Sequence, residues 1–226
     1  MKKLLFWMVL IVGIVALIGS CAKKDEETAA TAAADNTTST DNTTSTTSYI
    51  STTTTASGSI TMGDDTLSGV YASECLTSAS TIAYFKATGF WASEVNAYGQ
   101  VFVVTGSDNI SIELYAFTDT SCSNLSQCQK TVSDNVTFGS ASGSNYPVTY
   151  NDQTKALTVH TTAAETALET LYSDALDFIV GTPIELPVSG SGLRYGLWTL
   201  SGTTWYEASS SSATPTSAGT VPHVKQ

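Results

Sequence analysis

The stretch Asn109–Phe117, NISIELYAF, alternates between apolar residues and other residues over almost its whole length. Ile110, Ile112 and Leu114 fall on one face of an extended chain, and the residues between them fall on the other, because successive side chains of a strand point to opposite sides. This period of two predicts a half-buried β-strand. It favours an antiparallel sheet, in which one face packs on a core and the other is more polar.

Short runs of similar character recur along the chain, separated by clusters of Gly and Ser. The turn Ser201-Gly202 predicts a hairpin between the last two runs, because glycine readily supplies the positive φ that such turns need. Together the runs predict a mainly β domain, an antiparallel curled sheet or a barrel of about eight to ten strands. Besides Asn109–Phe117, the predicted strands are Leu67–Cys75, Thr81–Trp91, Gln100–Gly106, Gln127–Phe138, Tyr146–Tyr150, Lys155–His160, Arg194–Leu200 and Thr203–Ala208.

One stretch breaks the period of two and predicts a helix at about residues 162–180. Its apolar residues recur at steps of three or four, which is the stripe of an amphipathic helix packed against a sheet or barrel wall. Thr162 and Glu165 have the spacing of a capping box, and Gly181 and Pro183 mark the other end. The stripe consists of Ala164, Leu168, Leu171, Ala175 and Ile179.

The first 20 residues have the order of a secretory signal, with two lysines, then a long apolar run, then the small residues Gly19 and Ser20. The alternative is an uncleaved membrane anchor, because the uncharged run reaches the lower edge of the roughly 17 to 25 residues that cross a bilayer. The residues beside the following cysteine favour cleavage. Residues 1–20 are therefore predicted to be a signal peptide.

Ile18-Gly19-Ser20-Cys21 resembles the bacterial lipobox. The resemblance implies that the signal is cut before Cys21, whose thiol carries a diacyl group and whose new amino terminus can take a further chain such as palmitate. Two or more acyl chains make a stable membrane anchor, whereas one chain is marginal. Ala22, rather than Asp, follows the cysteine, which is similar to the pattern of lipoproteins exported to the outer membrane. We expect a lipid-anchored protein of the bacterial cell envelope, most simply of the outer membrane.

Residues 21–62 are rich in Thr, Ser and Ala, and the hexapeptide DNTTST occurs twice in tandem from Asp35 to Thr46. Short polar side chains bury too little apolar area to offset the entropy of ordering, so this stretch is predicted to be a disordered tether. Residues 63–226 are about right in number for one domain. The predicted organisation is a signal peptide (1–20), a tether that begins at the acylated Cys21 (21–62) and one β domain (63–226).

The chain is acidic, with 9 Lys and Arg against 20 Asp and Glu and a formal net charge of −11. Binding to nucleic acid is disfavoured, because phosphate contacts need Lys and Arg to displace counterions. The negative charge is interpreted as a source of solubility and colloidal repulsion rather than as a binding face.

Three cysteines lie in the predicted domain, Cys75, Cys122 and Cys128, and export to an oxidising compartment favours a disulfide. In the chain-entropy account, a Cys75–Cys122 bond closes a loop of about 47 residues and contributes roughly 4 kcal/mol, against roughly 2 for Cys122–Cys128. The longer loop is favoured. Both pairings stay open, because geometry decides which one forms.

Three motifs of the domain together resemble a known family. LSGVYASEC (67–75) resembles an L-x-G-x-[WY]-x-S-x-C opening, and LYAFTDTSC (114–122) resembles a strand that ends in Y-x-x-x-D-x-x-C. The final hairpin and TPTS (214–217) resemble a closing hairpin followed by an [RT]-P-T-S tail. In order and spacing the motifs are similar to lipocalin-like domains of bacterial lipoproteins, related to the adenomatosis polyposis coli down-regulated type of extracellular β-barrel. The resemblance implies a lipocalin-like barrel, a Cys75–Cys122 pair and a small apolar or lipid-like ligand.

No catalytic motif stands out in the sequence. His160 and His223 are not part of the clustered ligand spacing that a zinc site needs. A GSASG segment has Ala141 at the position where a nucleophile elbow requires serine. Glu113 and Asp119 are interpreted as an outward strand residue and a solvated turn residue rather than as an acid–base pair. We therefore predict no enzymatic activity, no metal and no cofactor.

Aromatic side chains of the domain can line a cavity or fill a core, since an eight-stranded barrel is just wide enough for either. The ligand-binding candidates are Trp91, Phe102, Trp198 and Arg194, which is the only arginine of the chain. In a barrel, this lone guanidinium could close one end over an aromatic ring, or it could be exposed to solvent.

These observations predict a membrane-anchored cell-envelope lipoprotein that binds a small apolar or lipid-like ligand. The alternative is a structural or surface-interaction lipoprotein, whose barrel is packed solid and whose outer face contacts another envelope protein. A bound apolar molecule would distinguish the first reading from the second.

Overall fold

The computed structural model describes residues 48–173 and 175–226. The predicted signal peptide, the predicted acylation site Cys21 and residues 21–47 of the predicted tether lie outside the described residues. Within those residues, no helix has both the length and the apolar character needed to cross a membrane.

Eleven strands and two helices follow one another along the described part of the chain. Their order is β1 (Ile60–Met62), β2 (Asp65–Leu67), β3 (Val70–Ala72), α1 (Ala79–Ala87), β4 (Ala97–Val104), β5 (Ile110–Phe117), β6 (Leu125–Phe138), β7 (Asn145–Val159), α2 (Thr162–Leu171), β8 (Pro183–Leu186), β9 (Leu193–Ser201), β10 (Thr204–Ser210) and β11 (Pro222–Lys225).

Eight strands close into an antiparallel barrel in the order β3-β4-β5-β6-β7-β9-β10-β11, and β11 pairs back onto β3. Strand β8 branches from the barrel, because it pairs with the last part of β7 whereas β9 pairs with the first part. The short strands β1 and β2 form a separate hairpin. The predicted fold class, a mainly β domain built on an antiparallel lipocalin-like barrel, is confirmed.

The strand predicted from the alternation in Asn109–Phe117 is β5, so that prediction is confirmed. By contrast, Tyr146–Tyr150 and Lys155–His160 are parts of one strand, β7, rather than two strands. The polar residues 151–154 between them pair with β6, and a register shift there accommodates Gln153. Their polarity interrupts the apolar pattern of the sequence, but pairing with β6 continues the strand through them.

The segment Thr81–Trp91, predicted as a strand, is instead helix α1 and the turn that follows it. Ile82 and Phe85, three residues apart, both pack into the cluster around Trp91, so the helical period applies. Gly89, with a φ of 75°, turns the chain after the helix. A short apolar run fits both periods, which is why the sequence pattern was ambiguous here.

Helix α2 begins at Thr162 as predicted, but it ends at Leu171 rather than near residue 180. The cap is Thr161 rather than Thr162, since the Thr161 Oγ1 accepts a hydrogen bond from the Ala164 N–H at 3.1 Å. Ser173 has a positive φ of 52°, a conformation that helices do not continue through. Ile179, assigned to the buried stripe by the prediction, is therefore 54% exposed.

Residues 48–58, which we call the strap, were predicted to belong to the tether but lie along the outer wall of the barrel. Ile50 is 6% exposed and packs against Val101 and Val103. Backbone hydrogen bonds join Ile50 N–H to the Ser73 carbonyl at 3.1 Å and Ser57 N–H to the Val104 carbonyl at 2.9 Å. Strand β1 follows the strap directly. The folded domain therefore begins before Gly63, because a few apolar residues among the Thr and Ser anchor this segment.

Glu113 lies on the outer wall beneath the strap and is 1% exposed. Its carboxylate accepts hydrogen bonds from Thr52 Oγ1 at 2.6 Å, from Tyr115 OH at 2.5 Å and from Thr54 Oγ1. The Lys130 Nζ lies 3.9 Å from Glu113 Oε1. The outward direction predicted for this side chain is correct, but it is covered rather than solvated. A buried carboxylate without polar partners would be strongly unfavourable. The hydrogen bonds from Thr52 and Thr54 to Glu113 therefore hold the strap against the barrel wall.

The two ends of the barrel differ in construction. At one end, which we call the closed end, the turns of the β4–β5, β6–β7 and β9–β10 hairpins surround a core sealed by the β1–β2 hairpin. Helices α1 and α2 follow strand ends at the opposite end, which we call the helical end. The core of the closed end contains Ile60, Met62, Leu67, Tyr71, Phe102, Val104, Ile110, Trp198 and Trp205.

A disulfide joins Cys75, after β3, to Cys122, in the loop between β5 and β6, with their Cα atoms 5.8 Å apart. This is the longer-loop pairing that both the chain-entropy argument and the family resemblance favoured. The bond joins the segment before α1 to the β5–β6 loop at the helical end.

Replacing both Cys75 and Cys122 with serine is expected to lower the free energy of unfolding by about 4 kcal/mol, because the 47-residue loop is no longer closed in the unfolded chain. Urea denaturation of the double variant, compared with wild type under non-reducing conditions, measures the change. Wild type under reducing conditions is the control and should show a similar loss. An unfolding free energy unchanged in the double variant would contradict the prediction.

Candidate functional site in the barrel interior

The register of the strands identifies the side chains that face the interior. Phe102 faces inward, where its ring centroid lies 4.6 Å from that of Trp205. Residues directly opposite one another in paired strands point to the same side of the sheet. The row from Phe102 continues through Ile112 and Thr131 to Lys155, so these side chains also face the interior.

The middle of the barrel is lined largely by polar side chains. Gln100 faces inward two residues before Phe102 on β4, one step nearer the helical end. On the opposite wall, Glu207 pairs with Trp198 and Arg194 pairs with Tyr150. These positions form a layer between the apolar closed end and the helical end. We call this layer the polar belt; its members are Gln100, Thr131, Tyr150, Asp152, Arg194, Glu207 and His223.

Several inward-facing side chains are partly exposed to solvent. Gln100, Ile112, Leu114, Arg194 and Glu207 all have intermediate exposure. The core of the closed end is different, since its Trp and Phe side chains are fully buried. The barrel is therefore packed solid at its closed end, whereas some inward-facing side chains at the level of the polar belt are partly exposed. Beyond the belt, toward the helical end, inward-facing side chains such as Tyr98 and Val159 are buried again, in the clusters around Trp91 and Phe178.

Arg194 faces into the barrel and forms an ion pair there. Its Nε donates a hydrogen bond to Asp152 Oδ2 at 2.7 Å, and the Ser133 hydroxyl donates to Asp152 Oδ1 at 2.9 Å. The side chain of Asp152 is 4% exposed, whereas that of Arg194 is 29% exposed. The carboxylate thus fixes the position of the guanidinium, which stays partly exposed.

Burial shifts the titration of two other groups of the belt. It raises the pKa of the Glu207 carboxyl above its ordinary value, and a hydrogen bond with Ser209 opposes this shift only in part. Burial, followed by the charge of Glu207, raises the pKa of Tyr150 well above its ordinary value. Tyr150 therefore keeps its phenol proton at neutral pH. The belt can offer hydrogen-bond donors and acceptors to the polar part of a small molecule.

His223 is held in the neutral form. It is 1% exposed, and burial lowers its pKa to about 4. Its Nδ1 lies 3.3 Å from the Trp205 carbonyl oxygen, to which it can donate, and its Nε2 lies 3.3 Å from Gln100 Oε1. The imidazole thus joins β11 to β10 through this hydrogen bond, and its other nitrogen lies beside Gln100 of β4.

The indole N–H groups of Trp198 and Trp205 are buried, and no acceptor for them is found among the described residues. The planes of the two rings are inclined to each other by 66°, and their centroids lie 4.6 Å apart. Gly196 makes room for this arrangement, because a Cβ there would lie 3.0 Å from Trp198 Nε1. An unpaired buried donor costs about 1–3 kcal/mol, so these positions favour packing over polar recognition.

The structure brings together two of the four predicted ligand-binding residues. Phe102 and Trp198 both contact Trp205 in the closed end, and Arg194 lies in the polar belt on the strand that carries Trp198. Trp91 belongs to a separate cluster with Ile82 and Tyr98 near the helical end, and it is 2% exposed.

Sequence reasoning missed Tyr150, Asp152 and Glu207 as residues of the interior. A signal was present, because the alternation that places Trp205 inward also places Glu207 inward, two residues later. Likewise, Tyr150 and Asp152 share one face of β7 with Val148, which is buried in the core. Their polar character concealed this signal, since polar residues are ordinarily assigned to the outer face.

A concavity lies on the outer wall, between the strap and the β5–β6 loop. It is a groove of about 1020 Å³. The groove runs past the ends of β5 and β7, where Phe117, His160 and Thr161 line it together with Ser48 and Tyr49 of the strap. None of the four predicted ligand-binding residues lines this groove.

Within residues 48–173 and 175–226, no group of three or more His, Cys, Asp or Glu side chains is placed to hold a metal ion. No known protein family matches the chain, and no curated protein sequence matches it. Function is therefore inferred from the barrel itself.

The variant His223→Gln is expected to reduce the acid sensitivity of the fold. A neutral imidazole with a pKa of about 4 contributes stability that is complete above its ordinary value of 6.5 and is lost as pH falls toward 4. For wild type this contribution amounts to about 2 kcal/mol between pH 7.5 and pH 5. Urea denaturation at the two pH values measures it. Wild-type and variant stabilities that fall in parallel would contradict the assignment.

Proposed function

We propose that this protein is a lipid-anchored lipoprotein of the bacterial cell envelope, whose barrel binds a small lipid-like molecule. The observation that carries the proposal is the partial exposure of inward-facing side chains in a closed barrel, including Ile112, Leu114 and Arg194. Accessible space inside a barrel is the usual site at which this architecture holds a small ligand.

The lining of this space supports an amphipathic ligand rather than a wholly apolar one. Ile112 and Leu114 provide apolar contact on one wall. Arg194, Glu207 and Gln100 provide charged and hydrogen-bonding groups at the depth of the belt. We propose that the polar group of the ligand meets the belt and that its hydrocarbon part contacts Ile112 and Leu114. No catalytic step is part of this proposal.

The proposed anchor is the acylated Cys21. The support for it is the apolar N-terminal run and the resemblance of Ile18-Gly19-Ser20-Cys21 to a lipobox. The proposed location, the outer membrane, has Ala22 as its support. These residues lie outside the part of the chain that the structure describes.

The fully packed closed end supports a second candidate function. Tyr71, Phe102, Trp198 and Trp205 are each 1% exposed or less, so this half of the barrel contains no space for a ligand. If the other half also excludes ligands, the protein acts through its surface, as a structural or surface-interaction lipoprotein that contacts another envelope protein. Ligand binding separates the two candidates.

Native mass spectrometry of residues 48–226, purified from an oxidising periplasm without detergent, tests the binding proposal. A discrete added mass that denaturation removes is expected, because a ligand in the interior is held without covalent bonds. The variant Leu114→Trp places a larger side chain at the proposed site and is expected to weaken binding of added fatty acid or phospholipid by about tenfold or more.

The matched control is Thr137→Trp, at an exposed, outward position of β6, which is expected to leave binding unchanged. A wild-type protein that stays free of ligand when fatty acids and phospholipids are offered would instead support the surface-interaction candidate.

The variant Cys21→Ser tests the anchor. It is expected to appear in the soluble fraction or to accumulate as unprocessed precursor, because serine cannot take the thioether-linked diacyl group. Membrane fractionation and intact mass, with wild type expressed in parallel, measure both outcomes. Processing and fractionation identical to wild type would refute the lipoprotein proposal.

A further inference from the structure

The large hydrophobic side chains that are exposed in the described structure are concentrated at the helical end of the barrel. Two belong to the helices and two follow α2, whereas the fifth begins β9, pairs with Asn151 in the middle of β7 and lies level with the polar belt. The residues and their exposed fractions are Tyr84 (64%), Leu171 (39%), Ile179 (54%), Val180 (45%) and Leu193 (37%).

The closed end has a different surface. Its three hairpin loops, residues 105–109, 139–144 and 202–203, consist of Gly, Ser, Thr, Asn, Asp and one Ala. Such loops are typical of a surface that faces water. The closed-end loops therefore carry no large exposed hydrophobic side chain, whereas the helical end carries four of them among polar residues, which is unlike a random scatter of exposed apolar residues.

The chain enters the described domain at the helical end. The strap begins there, since Ser48 lines the groove beside Thr118 and Thr161, at the ends of β5 and β7. It then runs along the wall toward the closed end, where Ser57 bonds to Val104. The predicted acylation site, Cys21, precedes Ser48 in the chain, so the proposed lipid anchor joins the domain at its helical end.

Charges at this end indicate the kind of lipid surface it fits. Helix α2 carries Glu165 and Glu169, and Asp177 follows it in an exposed position, whereas Lys86 is the basic residue in the last turn of α1. The acidic excess opposes contact with anionic lipids, because binding to such surfaces relies on Lys and Arg. A zwitterionic phospholipid surface has no such repulsion.

We propose that the helical end docks on a zwitterionic phospholipid bilayer, with Tyr84, Ile179 and Val180 at the level of the head groups. The proposal rests on the proposed anchoring through Cys21. Tyrosine suits this interface, because its ring is apolar and its hydroxyl is polar. A tether raises the effective concentration of the docking surface at the bilayer, so even a weak contact is populated.

The test uses the full acylated protein reconstituted into phosphatidylcholine vesicles that contain lipid spin-labelled near the head group. The variant Ile179→Trp places a fluorophore at the helical end, and the matched variant Thr203→Trp places one at the closed end. Trp91, Trp198 and Trp205 are each 2% exposed or less, so wild type supplies a constant background. Quenching of the added tryptophan is expected to be at least about twofold greater for Ile179→Trp than for Thr203→Trp.

Equal quenching of the two variants would overturn docking. In that case, flotation of the protein with the vesicles would show that the anchor itself is intact. Failure to float would overturn both the anchor and the docking that rests on it. The tryptophan emission of Ile179→Trp is also measured in detergent, without vesicles. If that emission shifts to the blue as the protein concentration rises, the surface binds a second copy of the chain instead. Stronger quenching in phosphatidylglycerol vesicles would overturn the choice of a zwitterionic surface.

Discussion

The closure of the barrel depends on the pairing of β11 with β3, which joins Val224 to Ala72 and Lys225 to Tyr71. This is a short seam compared with the long β6–β7 pairing that lies across the barrel from it. Because this seam joins the last described strand to the first strand of the barrel, it closes the sheet and creates a barrel interior. His223 reinforces the seam from within through its contacts with β10 and β4.

Once the barrel is closed, each inward side chain must pack, find a polar partner or meet solvent in the interior. The closed end takes the first solution, with tryptophan and phenylalanine rings in mutual contact. The polar belt takes the second, through the Arg194–Asp152 ion pair and the imidazole of His223. Ile112 and Leu114, which are partly exposed, are the candidates for the third. The proposed ligand site is thus the region in which packing gives way to polar partners.

Local pattern determined how much could be predicted from the sequence. The alternation in Asn109–Phe117 identified β5, and loop length favoured the Cys75–Cys122 bond. Thr81–Trp91 was assigned to the wrong element, because a short apolar run fits the periods of both helix and strand. The candidate site was predicted in part: Phe102 and Trp198 lie together, but Glu207 and Asp152 were missed. The local alternation with Trp205 and Val148 does place them inward, but polar residues in such a pattern are ordinarily assigned to the outer face.

The strap changes how the domain would bear a mechanical load. A pull on the chain before Ser48, directed away from the helical end, acts along the strap rather than across it, because the strap runs down the wall toward the closed end. The packing of Ile50 and the Glu113 hydrogen bonds then resist the force together, in shear, instead of being peeled apart one after another. Tension reaching the domain from its N-terminal side is therefore spread over the barrel wall, and the short β3–β11 seam is spared.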